Sequence, residues 1–240
     1  MNSNPLRHFA ALVCSLPLAV CAAADAPPVI SEPFNGPELP GAWQAGGRPG
    51  SFKIVDGALQ GTCSATDSHG PSIGVPISAR DVKVTFRMKM EKTGHLLCLV
   101  DGDSAFGGQA HLLRCGLSPD VATLAQDRGN PKSKLEQKKQ RDAAAKSGQK
   151  MPPPTKEQLA DPAFYRVERL GLTKASLDDG QWHGVSIELR GNSVTAMIDG
   201  KTTMTGSGTV LDVPKSRFVL LVGQAGVLQV DDVKVWALTK

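Results

Sequence analysis

Apolar and polar residues alternate along much of the chain. The clearest case is 82–90, where Val82, Val84, Phe86, Met88 and Met90 are interleaved with Lys83, Thr85, Arg87 and Lys89. Successive strand side chains point to opposite faces, so this segment predicts a strand with one face buried beneath a second layer. Similar short runs recur at 52–55, 58–60, 73–77, 109–115, 121–126, 182–190, 193–198, 202–204 and 227–236, while 95–100 and 218–222 are almost continuously apolar and predict buried strands. Asp56-Gly57 and Asp199-Gly200 tolerate positive φ and suit two-residue hairpins, and Gly191-Asn192 turns the chain once more. Many short strands punctuated in this way predict an all-β, antiparallel sandwich.

The alternation breaks at Arg128. Between 128 and 174 there are 12 Lys/Arg against 5 Asp/Glu; the whole chain carries only +4, so the rest sums to −3 and the basicity belongs to this one segment. Its lysine-rich part, 132–150, has no apolar stripe that could pack on a core. Ser133 with Glu136 predicts a capping box, the alanines at 143–145 favour helix, and Gly148 ends it. Pro152, Pro153 and Pro154 force an extended stretch, Thr155 with Gln158 and Asp161 with Pro162 offer further helix starts, and 164–170 fits helix or strand equally. The expectation is a single β-sandwich domain over 25–240, interrupted at about 128–174 by a charged, partly helical insertion that stands in solvent. A charge run of this kind suits an anionic polysaccharide or cell-surface polymer, and without interleaved aromatic residues nucleic acid is not an expected partner.

The first residues follow the order of a secretory signal: Arg7 in a short basic start, an apolar stretch at 9–20, then Ala22, Ala23 and Ala24. Residues 1–24 are therefore expected to be removed and the product to be secreted or periplasmic. Lipid attachment at Cys21 is the alternative, against which Val20 stands where such signals carry a small residue. The apolar stretch is too short for a transmembrane helix and contains Pro17, and no later segment is long enough. Cys63, Cys98 and Cys115 remain, which allows either one disulfide or three buried thiols; no Cys-x-x-Cys supports zinc.

A sugar site needs an aromatic face for the apolar side of the ring and carboxylates or amides for its hydroxyls. Trp182 and Trp236 border apolar strands and are expected to pack, whereas Trp43, in a glycine-rich loop, is the expected exposed ring; Tyr165 is the remaining amphipathic one. Asp101-Gly102-Asp103, followed by Ser104, Gly107 and Gly108, predicts a polar loop after a buried strand, suited to sugar hydroxyls, to calcium, or to plain solvent. His69, His95, His111 and His183 show no metal spacing. His111 and Arg114 can share a site only if their strand is irregular, and the neighbours Asp231 and Asp232 are expected on opposite sides of theirs. No Gly-x-Ser-x-Gly elbow or P-loop occurs. The ligand-binding candidates are thus Trp43, Asp101, Asp103, His111, Arg114 and Trp182. No catalytic residue, metal or cofactor is assigned.

Four pieces together, Phe34-Asn35-Gly36 with Trp43, the hairpin at 51–61, Trp182-His183 leading to Asp199-Gly200, and Val230-Asp231-Asp232-Val233-Lys234-Val235-Trp236, resemble the secreted bacterial domains grouped as 3-keto-disaccharide hydrolase-like. The resemblance implies a concanavalin A-like jelly roll, carbohydrate as the ligand class and glycoside cleavage as an activity. The Glu-x-Asp-x-x-Glu run of the laminarinase-type relatives of that fold is missing here. The competing reading is a non-catalytic interaction module that scaffolds a basic arm.

Overall fold

The computed structural model describes residues 26–47, 51–65, 70–91, 94–223 and 226–239. The expected signal at 1–24, with Cys21, and His69 lie outside the described residues. The strands are β1 (Ile30–Glu32), β2 (Gln44–Gly46), β3 (Phe52–Val55), β4 (Ala58–Cys63), β5 (Ser72–Ala79), β6 (Asp81–Glu91), β7 (His95–Asp103), β8 (Gln109–Leu117) and β9 (Val121–Arg128). Helices α1 (Pro131–Lys146) and α2 (Lys156–Ala160) follow, then β10 (Arg166–Lys174), β11 (Asp179–Arg190), β12 (Ser193–Ile198), β13 (Thr202–Ser207), β14 (Lys215–Gly223) and β15 (Gly226–Leu238).

They form two antiparallel sheets in a jelly-roll sandwich. One runs β13-β12-β11-β6-β15-β4-β3, with β1 also paired to β15; the other runs β10-β9-β8-β7-β14-β5-β2. The alternation read along β6 is realised side chain by side chain: Val82, Val84, Phe86, Met88 and Met90 are buried, each 2% exposed or less. They face Leu96, Cys98, Val100, Leu113, Cys115, Leu117 and Phe218 of the second sheet, and the rings of Phe86 and Phe218 lie 6.5 Å apart. Burying an aliphatic side chain of this size contributes roughly 1.5–3 kcal/mol, so the facing sets hold the layers together without many aromatic residues. Asp56 and Gly57 have φ of 52° and 73°, and Asp199 and Gly200 of 52° and 65°, which is the double positive-φ geometry whose twist matches that of the flanking strands.

The basic segment is less separate from the sandwich than its composition suggests. Its last part, ambiguous in sequence, is β10, an edge strand paired along β9. Helix α1 starts at Pro131 on an Asn130 cap whose side chain accepts from Lys132 N at 3.0 Å, not at a Ser133 box; proline suits this position because its missing N–H would have no helical partner there. The Thr155–Gln158 capping box of α2 forms as expected, whereas Asp161 closes that helix rather than starting another. Neither helix has a buried residue. Cys63, Cys98 and Cys115 are all buried. No helix among the described residues is long and apolar enough to cross a membrane.

Candidate functional site

Asp101, His111 and Arg114 meet on the outer face of the second sheet, and an irregularity in β8 is the reason. In the pairing of β7 with β8, Val100 faces Leu113 and Asp101 faces His111, so Leu112 is an extra residue without a partner. Such a bulge shifts the side-chain alternation by one. It carries His111 to the side that Arg114 already occupies, directly opposite Asp101, and the 2.7 Å contact between His111 Nδ1 and Asp101 Oδ1 follows. Asp101-Gly102-Asp103 is therefore the end of a strand and not a loop. Asp101 is 4% exposed and Asp103 stands at the exposed tip.

Three further residues complete the cluster. Arg114 donates to Asp127 of β9 through Nε at 2.5 Å and Nη2 at 2.9 Å. The Tyr165 hydroxyl donates to the same carboxylate at 2.9 Å, and Lys134 Nζ of α1 approaches it at 3.3 Å while lying 5.5 Å from the Tyr165 ring centre. Burial alone would raise the Asp127 pKa; the Arg114 hydrogen bonds and charge, with Lys134, outweigh it and hold the carboxyl below its ordinary value. Burial and the adjacent Asp127 charge push the Tyr165 phenol up, so that it stays protonated and able to donate. Gln137, one turn along α1 from Lys134, donates to the Tyr165 carbonyl at 3.1 Å. The basic helix is thereby seated over this face.

The two carboxylates form the floor, with side-chain exposures of 5% for Asp101 and 3% for Asp127, while His111 and Lys134 reach solvent at 28% and 38%. Among the described residues, Nε2 of His111 has no hydrogen-bond partner. A cavity of about 90 Å³ lies beside the cluster, lined by Asp103, Phe106, Ala110, Leu112, Asp127 and Val210, and the Phe106 ring on the β7–β8 turn is 40% exposed.

Neither tryptophan candidate joins this group. Trp43 is 6% exposed and packs on Phe34 with ring centres 5.3 Å apart; its glycine-rich loop folds inward because the indole completes the core. Trp182, expected to pack, is 38% exposed on the outer face of the other sheet, with the Arg87 guanidinium 5.2 Å from its ring centre. Arg87 is held in turn by Asp231 and, at 2.9 Å, by Asp232. Those neighbours were expected on opposite sides. A bulge between Asp231 and Lys234, with Asp232 at φ 50°, turns both carboxylates toward Arg87.

Asp127, Lys134 and Phe106 were not singled out by the sequence, and Tyr165 was named only as an amphipathic ring. Asp127 falls one residue past the predicted strand end at 126, and the available signal was an acidic residue at the mouth of a lysine-rich segment. No cluster of three or more His, Cys, Asp or Glu among the described residues is placed to hold a metal ion.

A family model described as the laminin G domain matches residues 165–237. No curated sequence matches the chain. In fold, the chain is similar to the laminarinase from Rhodothermus marinus (TM-score 0.58, 13% identity, covering 89% of this chain and 98% of that one). It is likewise similar to LamAcat from Zobellia galactanivorans (TM-score 0.55, 13% identity, 88% and 97% covered) and to the carbohydrate-binding module CBM66 from Bacillus subtilis (TM-score 0.51, 10% identity, 81% and 95% covered).

Proposed function

We infer that this chain is an exported carbohydrate-recognising domain whose ligand rests on the face made by Asp101, His111, Arg114, Asp127 and Tyr165. The observation that carries the reading is the β8 bulge, which places a partly exposed imidazole, its Nε2 without a partner among the described residues, over two buried carboxylates. Such an arrangement presents fixed hydrogen-bonding groups to a polyol without rearrangement on binding, and bulges recur where a side chain is re-aimed toward a site. Phe106 at the rim supplies an apolar surface for a sugar ring. The sandwich shared with a laminarinase and a carbohydrate-binding module supports the ligand class, and the basic, apolar and small-residue order of the first 24 residues supports export.

Recognition fits this geometry better than cleavage. Glycoside hydrolysis through paired carboxyl groups needs one of them protonated. Here Asp127 is held ionised by Arg114, and Asp101 is engaged by His111. Affinity electrophoresis against a polysaccharide panel, paired with reducing-sugar release, tests the reading. Retardation that His111→Ala abolishes, with no sugar released, is expected; an unretarded protein on every polysaccharide overturns it.

A further inference from the structure

Resting on the recognition reading, we propose that the ligand is an acidic polysaccharide, one bearing carboxylate groups, and that α1 is part of its binding surface. Two independent observations converge on this.

The first is the vertical ordering of charge at the site. Two carboxylates lie at the bottom and already hold partners: Asp127 accepts from Arg114, Tyr165 and Lys134, and Asp101 contacts His111. Above them Lys134, His111 and Arg114 are 38%, 28% and 18% exposed, while the Asp103 carboxylate stands at the exposed end of β7. A ligand lowered between Lys134 and His111 meets these groups before it meets Asp101 or Asp127. Neutral glycans are bound through a mixture of donors and acceptors, whereas this surface is rich in donors and answers an acceptor-rich anionic chain.

The second is α1 itself. It carries Lys132, Lys134, Lys138, Lys139, Arg141 and Lys146 against Glu136 and Asp142, and it buries no residue. Helices in folded proteins draw most of their stability from a packed face. This one is held instead by caps and by Lys134 and Gln137, which reach Asp127 and Tyr165. Lys132, Lys138, Lys139, Arg141 and Lys146 are exposed. Lys138 and Arg141 continue the row of Lys134 and form a cationic rail that begins at the site and leads away from it, while Lys132, Lys139 and Lys146 line another side of the helix. A polymer with one carboxylate per sugar unit can follow that rail while its end or an internal unit sits over His111. Duplex nucleic acid would exploit the same charge, but no exposed aromatic side chain is interleaved with the α1 cations for base stacking.

The test uses the full chain after export, titrated by calorimetry with polygalacturonate, neutral laminarin, duplex DNA and polyglutamate, at low and raised salt. Polygalacturonate is expected to bind in a salt-sensitive manner, and the variant carrying Lys138→Gln, Lys139→Gln, Arg141→Gln and Lys146→Gln to bind it about tenfold more weakly with an unchanged melting temperature. His111→Ala should weaken polygalacturonate binding without altering any residual attraction to polyglutamate. Laminarin binding as tight as polygalacturonate, or polygalacturonate binding unchanged by the α1 substitutions, would leave the sugar reading intact and sink the acidic one. Equal binding of DNA or polyglutamate would mean charge attraction alone and overturn the proposal. Failure to bind polygalacturonate overturns the acidic reading, and the recognition reading falls with it when no polysaccharide of the panel retards the protein.

Discussion

Arg114 grips Asp127 with two donors from one guanidinium, Nε at 2.5 Å and Nη2 at 2.9 Å, across neighbouring strands. The carboxylate is 3% exposed, so losing this partner leaves a buried charge with only Tyr165 and Lys134. Removing one member of a buried pair typically costs about 3–5 kcal/mol. Arg114→Met should therefore lower stability by about that amount in urea denaturation near neutral pH. The folded-state pKa of Asp127 is depressed below 3.8, so its contribution in the native protein is present above that value and lost as the pH falls through the depressed one. The gap between native protein and variant should accordingly narrow on acidification. A gap that stays constant with pH would show that Asp127 is not the group being orphaned.

Trp43 and Trp182 should respond oppositely to truncation. Trp43→Ala opens a hole next to Phe34 and is expected to cost about 3–5 kcal/mol, while Trp182→Ala, at an exposed ring, should change stability by less than about 1 kcal/mol. Thermal melts of both variants, with acrylamide quenching of the remaining fluorescence, check the assignment. The reverse ranking would mean that the glycine-rich loop, not the sheet face, exposes its indole.

His183 sits between Asp199, 2.8 Å from its Nδ1, and Asp179, 3.0 Å from its Nε2. Burial lowers its pKa, but hydrogen bonds from the ring to both carboxylates raise it further than that, and the net direction is upward from 6.5. A raised folded pKa means stabilisation that is complete below the unfolded value and is lost as the pH climbs through the folded one. Melting temperature should fall on going from mildly acidic to mildly alkaline solution, and His183→Gln should flatten that slope. An equally steep slope in the variant would assign the effect elsewhere.

Cys98 and Cys115 are register partners on β7 and β8, and both point into the core. Burial pushes the Cys115 thiol up to about 12 and raises Cys98 as well, with the neighbouring sulfur adding to it. Little thiolate is then present near neutral pH, and none of it is exposed. Labelling by a disulfide reagent should follow global unfolding and accelerate with denaturant in parallel with it. Immediate labelling of either cysteine in the native protein would contradict the packing of these two strands.

Period-two patterning was enough to read the sandwich because nearly every strand has one face in the core, and β3 and the start of β4 were legible to the residue around Asp56-Gly57. The site was legible only in part. Asp101, His111 and Arg114 were visible as residue types, yet their meeting depends on Leu112 standing outside the ladder, and a bulge leaves no periodic trace in so short a strand. The same blindness put Asp231 and Asp232 on opposite faces. Trp43 was misplaced for another reason: glycine content reports on loops, not on whether a loop folds back over the core. The seat of α1 was hidden because two polar side chains, Lys134 and Gln137, make the attachment where an apolar stripe would ordinarily announce it.

The topology also dictates an order of assembly. β15 lies between β6 and β4 and also carries β1, and β14 lies between β7 and β5, so each sheet is bridged by a strand that comes after all of its neighbours in the chain. A polypeptide emerging from its amino end can form the β3–β4, β7–β8 and β11–β12 hairpins early, but neither layer can be joined across its middle until residues 215–238 arrive. Closing such distant pairings late is slow. Until then β4 and β5 have no partner joining them to the rest of their sheets, so a short truncation from the carboxyl side should abolish the whole domain instead of trimming one edge.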